Sequence, residues 1–235
     1  MKLNRLLFTA ALLAAAVPAI HAGDVKGKIT LNGDAPAERD ITIGANDPCG
    51  KLHPNKKTRF YVVGADKGLA DVFIYVKDDQ SGKKFEVPAK PLLLDQVGCE
   101  YVPYIAGVQT GQKILVRNSD PVMHNVHPTP DKKTGNPEKN LAQMPKAKDL
   151  EFTYANPEMF LRFKCDVHPW MFSYVSVMNH PYFAVSDKDG NFTIANLPAG
   201  EYTIEANHRK GGVQTQKVKV DASGAATVNF AFDPK

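Results

Sequence analysis

A thiol, an imidazole and a thioether stand close together in one short run near the middle of the chain, Cys165-Asp166-Val167-His168-Pro169-Trp170-Met171. A soft thiolate, a borderline nitrogen and a weak sulfur donor are the protein ligands of a mononuclear blue-copper site, provided a second imidazole arrives from elsewhere in the fold. Such a donor set suits both Cu(I) and Cu(II), so an electron can come or go with little rearrangement. Two upstream histidines, His124 and His127, could supply the missing nitrogen. Three residues apart on an extended strand, they face opposite sides, so one of them at most points at a metal.

The cysteine count bears on the same run. The chain has three cysteines, Cys49, Cys99 and Cys165. In an exported protein the odd one is a reactive thiol, an intermolecular link or a metal ligand. Cys165 alone has His and Met at ligand spacing beside it, which leaves Cys49 and Cys99 to pair. That disulfide closes a loop of about 50 residues and is worth about 4 kcal/mol on the chain-entropy account.

Export is expected from residues 1–22, where Lys2 and Arg5 precede an apolar stretch at 6–20 in the layout of a signal peptide, with cleavage after Ala22. The stretch contains Pro18 and falls short of the roughly 20 apolar residues of a membrane span. No later run is longer, so the expectation is a soluble, periplasmic or otherwise exported protein without a membrane span.

These side chains must be held by the rest of the chain, 235 residues with a formal charge of +4. Loss of Lys2 and Arg5 leaves it close to neutral, which speaks against nucleic acid as a partner. The lysines of the stretch 131–148 are interrupted by Asp131 and Glu138, as in a solvated loop. From Asp24 onward, short apolar or alternating runs are separated by turn chemistry, and no 3.6-residue pattern persists long enough to specify a helix. Strands are expected at 25–31, 59–63, 71–77, 83–87, 113–118, 124–126, 150–154, 159–164, 173–178, 191–194, 201–206, 213–220 and 226–232. Asn32-Gly33, Asp189-Gly190 and Gly211-Gly212 mark turns between them. The fold class is therefore all-β, one or two antiparallel sandwiches, with 128–148 as a long irregular connection of the functional or mobile kind.

Two resemblances refine this reading. Ser186-Asp187-Lys188-Asp189-Gly190-Asn191-Phe192-Thr193-Ile194, continued by Leu197-Pro198-Ala199-Gly200-Glu201-Tyr202-Thr203-Ile204, resembles the second half of a carboxypeptidase regulatory-like β-sandwich module. Val25-Lys26-Gly27-Lys28-Ile29 and Leu69-Ala70-Asp71-Val72-Phe73-Ile74 are similar to its opening strands. The stretch from Gly111 through Asn118-Ser119-Asp120 to His124-Asn125-Val126, taken with the Cys165 loop, resembles a cupredoxin of the plastocyanin and amicyanin kind. Together they imply a cupredoxin Greek-key sandwich at 89–180, with a second sandwich built from 23–88 and 181–235.

The cupredoxin resemblance implies copper bound by His124, Cys165, His168 and, as a weak axial ligand, Met171. It also implies that Asn125 directs its backbone N–H at the Cys165 sulfur and ties the two ligand loops together with its side chain. His127 is then a surface histidine, and His180 beside Pro181 is the candidate for any second metal site. Pro169, Trp170 and Phe172 would form an apolar rim around an exposed edge of His168.

The function so implied is single-electron carriage between redox proteins, a cytochrome or a dehydrogenase, with no substrate chemistry. The competing expectation is a cell-envelope binding or scaffold module whose metal site is vestigial or stores copper. A thiol titration of the metal-free, unfolded mature protein is expected to count one free thiol; a count of three would refute both the pairing and the oxidising compartment.

Overall fold

The computed structural model describes residues 22–54, 56–78, 80, 82–221 and 224–235. The proposed signal segment lies outside the described residues except for Ala22, which opens the first strand, Ala22–Leu31. The chain is all-β. Among the described residues, one short α-helix, Pro48–Leu52, and two 3-10 turns interrupt the strands.

Alternation decides which residues face inward. In Glu158–Lys164, Leu161 and Phe163 are buried while Arg162 and Lys164 are partly exposed, and Cys165 continues the inward series at 1% exposure. Phe163 packs edge-on against Phe152 and Tyr154, with ring centroids 5.6 and 6.2 Å apart.

Two sheets enclose this core. One has the order Ile105–Gln109, Phe172–Met178, Glu158–Lys164, His124–Thr129 and Leu141–Gln143. The other has the order Tyr101–Val102, Leu92–Gln96, Ile114–Asn118 and Leu150–Phe152. Leu94, Ile114 and Val116 from the second sheet meet Val126, Leu161, Phe163 and Val175 from the first in one apolar cluster.

A separate cluster joins the two ends of the chain. Ala22–Leu31 pairs antiparallel with Asn191–Pro198 on one side and parallel with Ala226–Thr227 and Phe230–Phe232 on the other. Phe183–Val185, Phe73–Val76, Gly200–His208 and Gly212–Val220 form the opposing sheet. Gly190 has φ of +81°, and a Cβ there would stand 2.1 Å from the Ile29 carbonyl oxygen, so the turn beside the first strand requires glycine.

Between the two cores lies an aromatic seam of Phe73, Tyr104, Phe160, Tyr174 and Phe183 around Ile105 and Met178. Gly107 permits this approach, because a Cβ would sit 2.6 Å from the Phe183 ring and 2.7 Å from that of Phe73.

Several expectations change. The run 59–63 is not a strand, because Tyr61 donates its backbone N–H to the Glu38 carboxylate 2.6 Å away instead of to a neighbouring strand. The run 83–87 is exposed apart from Phe85, whose ring meets Tyr182 at 5.4 Å, and one anchor does not hold a strand against solvent.

The connection 128–148 is less irregular than expected. It contains the end of His124–Thr129, a 3-10 turn at Lys132–Thr134 and the strand Leu141–Gln143. The stretch 41–54 also departs from the expected division, since Ile43 and Cys49 pack into the core that carries the Cys165 loop.

His208, at 3% exposure, accepts the Gly211 N–H on Nδ1 at 2.8 Å. Burial pushes its imidazole down from 6.5 to about 4. The unfolded chain therefore binds more protons than the folded one between these values. Stability should be complete above about pH 6.5 and fall by on the order of 3 kcal/mol as pH drops to about 4. Denaturation of the wild type and of His208→Asn across that window checks this, with a flatter acid limb expected in the variant.

Candidate metal centre

Strand ends bring the donors together. His124 opens His124–Thr129, which runs antiparallel to Glu158–Lys164 with His127 opposite Lys164, so Cys165 emerges beside His124. The tight turn after Cys165 returns His168 to the same place. Met171 donates its N–H to the His168 carbonyl at 2.8 Å, and its carbonyl accepts the Cys165 N–H at 3.0 Å.

The ligand-type atoms of His124, Cys165 and His168 all lie within 4.8 Å of one another, and all three residues are buried. The two Nδ1 atoms stand 3.0 Å apart. Cys165 Sγ is 3.7 Å from His168 Nδ1. Met171 is fully buried in the same apolar cluster.

Asn125 lies on the opposite face of its strand. Its backbone N–H donates to Cys165 Sγ at 3.5 Å. Its side-chain oxygen accepts the N–H groups of Asp166 at 2.7 Å and Val167 at 3.4 Å, which ties the cysteine turn to the histidine strand.

His127 points outward to Asp166 and Glu138, at 2.7 and 2.8 Å. His180 is buried, and its Nδ1 accepts the Tyr182 N–H at 3.1 Å. Neither belongs to a cluster of metal-binding groups among the described residues.

One expectation is corrected. His168 has no exposed edge for an apolar rim to surround, since it is 5% exposed. The stretch at the start of Pro48–Leu52 covers it, placing Cys49 Sγ 3.6 Å and an Asp47 oxygen 3.7 Å from His168 Nε2. Cys49 and Cys99 form the disulfide. Trp170, with its ring centroid 5.3 Å from that of His168, lines a neighbouring cleft of about 480 Å³ with Pro169 and Phe172.

Sequence reasoning missed Asp120. It is 3% exposed and accepts N–H groups from Gly98 at 2.5 Å and Cys99 at 2.8 Å. Its Oδ2 also lies 2.9 Å from His124 Nε2. A carboxylate four residues before a candidate ligand was the available signal, and Asn118-Ser119-Asp120 looked like a turn.

Charge follows from these contacts. Burial opposes ionisation of the Cys165 thiol, but hydrogen bonding with His124 and the neighbouring backbone N–H groups outweighs it and lowers the pKa. Burial likewise opposes protonation of His124, and Asp120 and Cys165 outweigh it, raising the value. For His168, burial and then the repulsion of His124 both act downward. The arrangement gathers one sulfur and two imidazole side chains, a donor set suited to a borderline or soft cation.

Residues 173–233 match the model of the carboxypeptidase regulatory-like domain family, a minority of the chain. No curated protein sequence matches. Among solved structures, the chain is similar to a Cu-containing nitrite reductase from Thermus scotoductus SA-01, at 17% identity and a TM-score of 0.33. That alignment covers 41% of this chain and 25% of the reductase, so the chain spans a quarter of that protein's length. An amicyanin variant in its Cu(I) form is similar at 20% identity and a TM-score of 0.32, covering 44% of this chain and 97% of the other. An oxidised amicyanin variant gives 19%, 0.34, 44% and 97%.

The disulfide joins the cover over His168 to the loop holding Asp120. Replacing Cys49 and Cys99 together by serine is expected to cost about 4 kcal/mol in chemical denaturation; an unchanged midpoint and slope would contradict a stabilising role.

Proposed function

We propose that the protein is an exported type 1 copper protein that carries single electrons between redox proteins and has no substrate chemistry of its own. The observation that carries this reading is the convergence of two buried imidazoles and one buried thiol, whose ligand-type atoms all lie within 4.8 Å of one another. The donor set fits copper: thiolate and imidazole are its soft and borderline ligands, and Met171 stands in the same buried turn as the weak thioether. When bound, copper supplies a Cu(II)/Cu(I) couple.

The chain's own residues keep the donors fixed. Asn125 holds Cys165 and its turn against the His124 strand, the core behind Phe163 resists movement, and burial of His124 and Cys165 excludes water. A donor cage that moves little suits rapid electron exchange. The partner is a redox protein of the cytochrome or dehydrogenase class, and its approach must cross the cover over His168 or reach Trp170 in the adjoining cleft.

The family match at 173–233 favours a second reading, an envelope binding or scaffold module whose site stores copper. Storage requires uptake without reversible one-electron cycling, so the two readings separate experimentally. Copper(II) added to the metal-free protein should produce an intense blue thiolate-to-copper band that bleaches on reduction and returns on oxidation. Cys165→Ser and His168→Ala should abolish it, whereas Met171→Leu should keep the colour and raise the potential. A colourless adduct, or colour that survives Cys165→Ser, would sink the proposal.

A further inference from the structure

We propose that Asp120 is a positioning residue that fixes the tautomer of His124 and biases the bound metal towards Cu(II). This inference rests on the copper reading above and adds to it a group outside the expected ligand set. Asp120 Oδ2 faces His124 Nε2 at 2.9 Å, and both side chains are buried, at 3% and 0% exposure. Among the described residues its one ion-pair partner is His124, and Lys56 is paired with Glu100.

The carboxylate is itself anchored. Gly98 and Cys99 donate their backbone N–H groups to its two oxygens, which leaves Oδ2 aimed at the imidazole. Cys99 is disulfide-bonded to Cys49, whose sulfur lies 3.6 Å from His168 Nε2. One covalent link therefore braces the remote nitrogen of each imidazole, His124 through Asp120 and His168 directly.

Two consequences follow. A proton held on His124 Nε2 by the carboxylate leaves the Nδ1 lone pair free, and Nδ1 is the atom that meets His168 Nδ1 at 3.0 Å. A buried negative charge behind the imidazole also makes it a stronger donor, which favours the higher oxidation state of the metal. Removing that charge should shift the balance towards Cu(I) by about tenfold, the lower end of such outer contributions to metal affinity. For a one-electron couple this is a rise of about 59 mV.

The test is the reduction potential of copper-loaded wild type, Asp120→Asn and Asp120→Glu, each checked for folding by thermal denaturation. The potential should rise in Asp120→Asn and return towards wild type in Asp120→Glu, which keeps the charge. An unchanged potential in a folded, blue Asp120→Asn variant would overturn the inference while leaving the copper reading intact. A wild type that forms no blue copper would overturn both.

If Asp120→Asn does not fold, nitrogen NMR of the neutral His124 ring in the metal-free wild type decides, because no metal then imposes the tautomer. A slowly exchanging proton on Nε2 supports the inference, and a proton on Nδ1 overturns it.

Discussion

The site depends on the register between two strands and on the side chain that locks it. His127 opposite Lys164 places His124 beside Cys165, and the Asn125 oxygen then accepts the N–H groups of Asp166 and Val167. A one-residue slip of this pairing would turn His124 outward and bring Asn125 inward. The apolar residues that alternate with the donors, Val126 on one strand and Leu161 and Phe163 on the other, oppose that slip, because whichever strand moved would turn its own buried residues to solvent.

Burial of polar donors in such a core is costly unless each finds a partner. The partners come from outside the two strands that carry His124 and lead to Cys165. Asp120, from the turn after Ile114–Asn118, meets His124, and Asp47 and Cys49, from the short helix and its cap, approach His168. The disulfide unites these two supports. The cover therefore belongs to the construction of the site, since the imidazole edge of His168 is not bare.

Much of this was legible in the sequence. The all-β class followed from short runs punctuated by Asn-Gly, Asp-Gly and Gly-Gly turns. A strand at 159–164 leading into Cys165 was expected, and the odd cysteine count separated Cys165 from Cys49 and Cys99. Legibility ended where long-range geometry took over. Leu141–Gln143 exposes Leu141 and Ala142 and is held instead by the buried Gln143 side chain, which donates to the Val116 carbonyl at 2.8 Å and accepts from Gln96 at 2.6 Å. No hydrophobic period encodes that strand. Asp120 resembled a turn residue because its carboxylate serves both the Gly98-Cys99 turn and the His124 imidazole. The cover over His168 was invisible because Cys49 lies far from Cys165 in sequence and reaches it through the link to Cys99.

X-ray absorption at the copper edge of the loaded protein, recorded in both oxidation states, tests the central claim most directly. One short sulfur and two imidazole nitrogens are expected around copper, with distances that change little on reduction. A shell of oxygen and nitrogen without sulfur, or a coordination sphere that reorganises when the electron arrives, would contradict it.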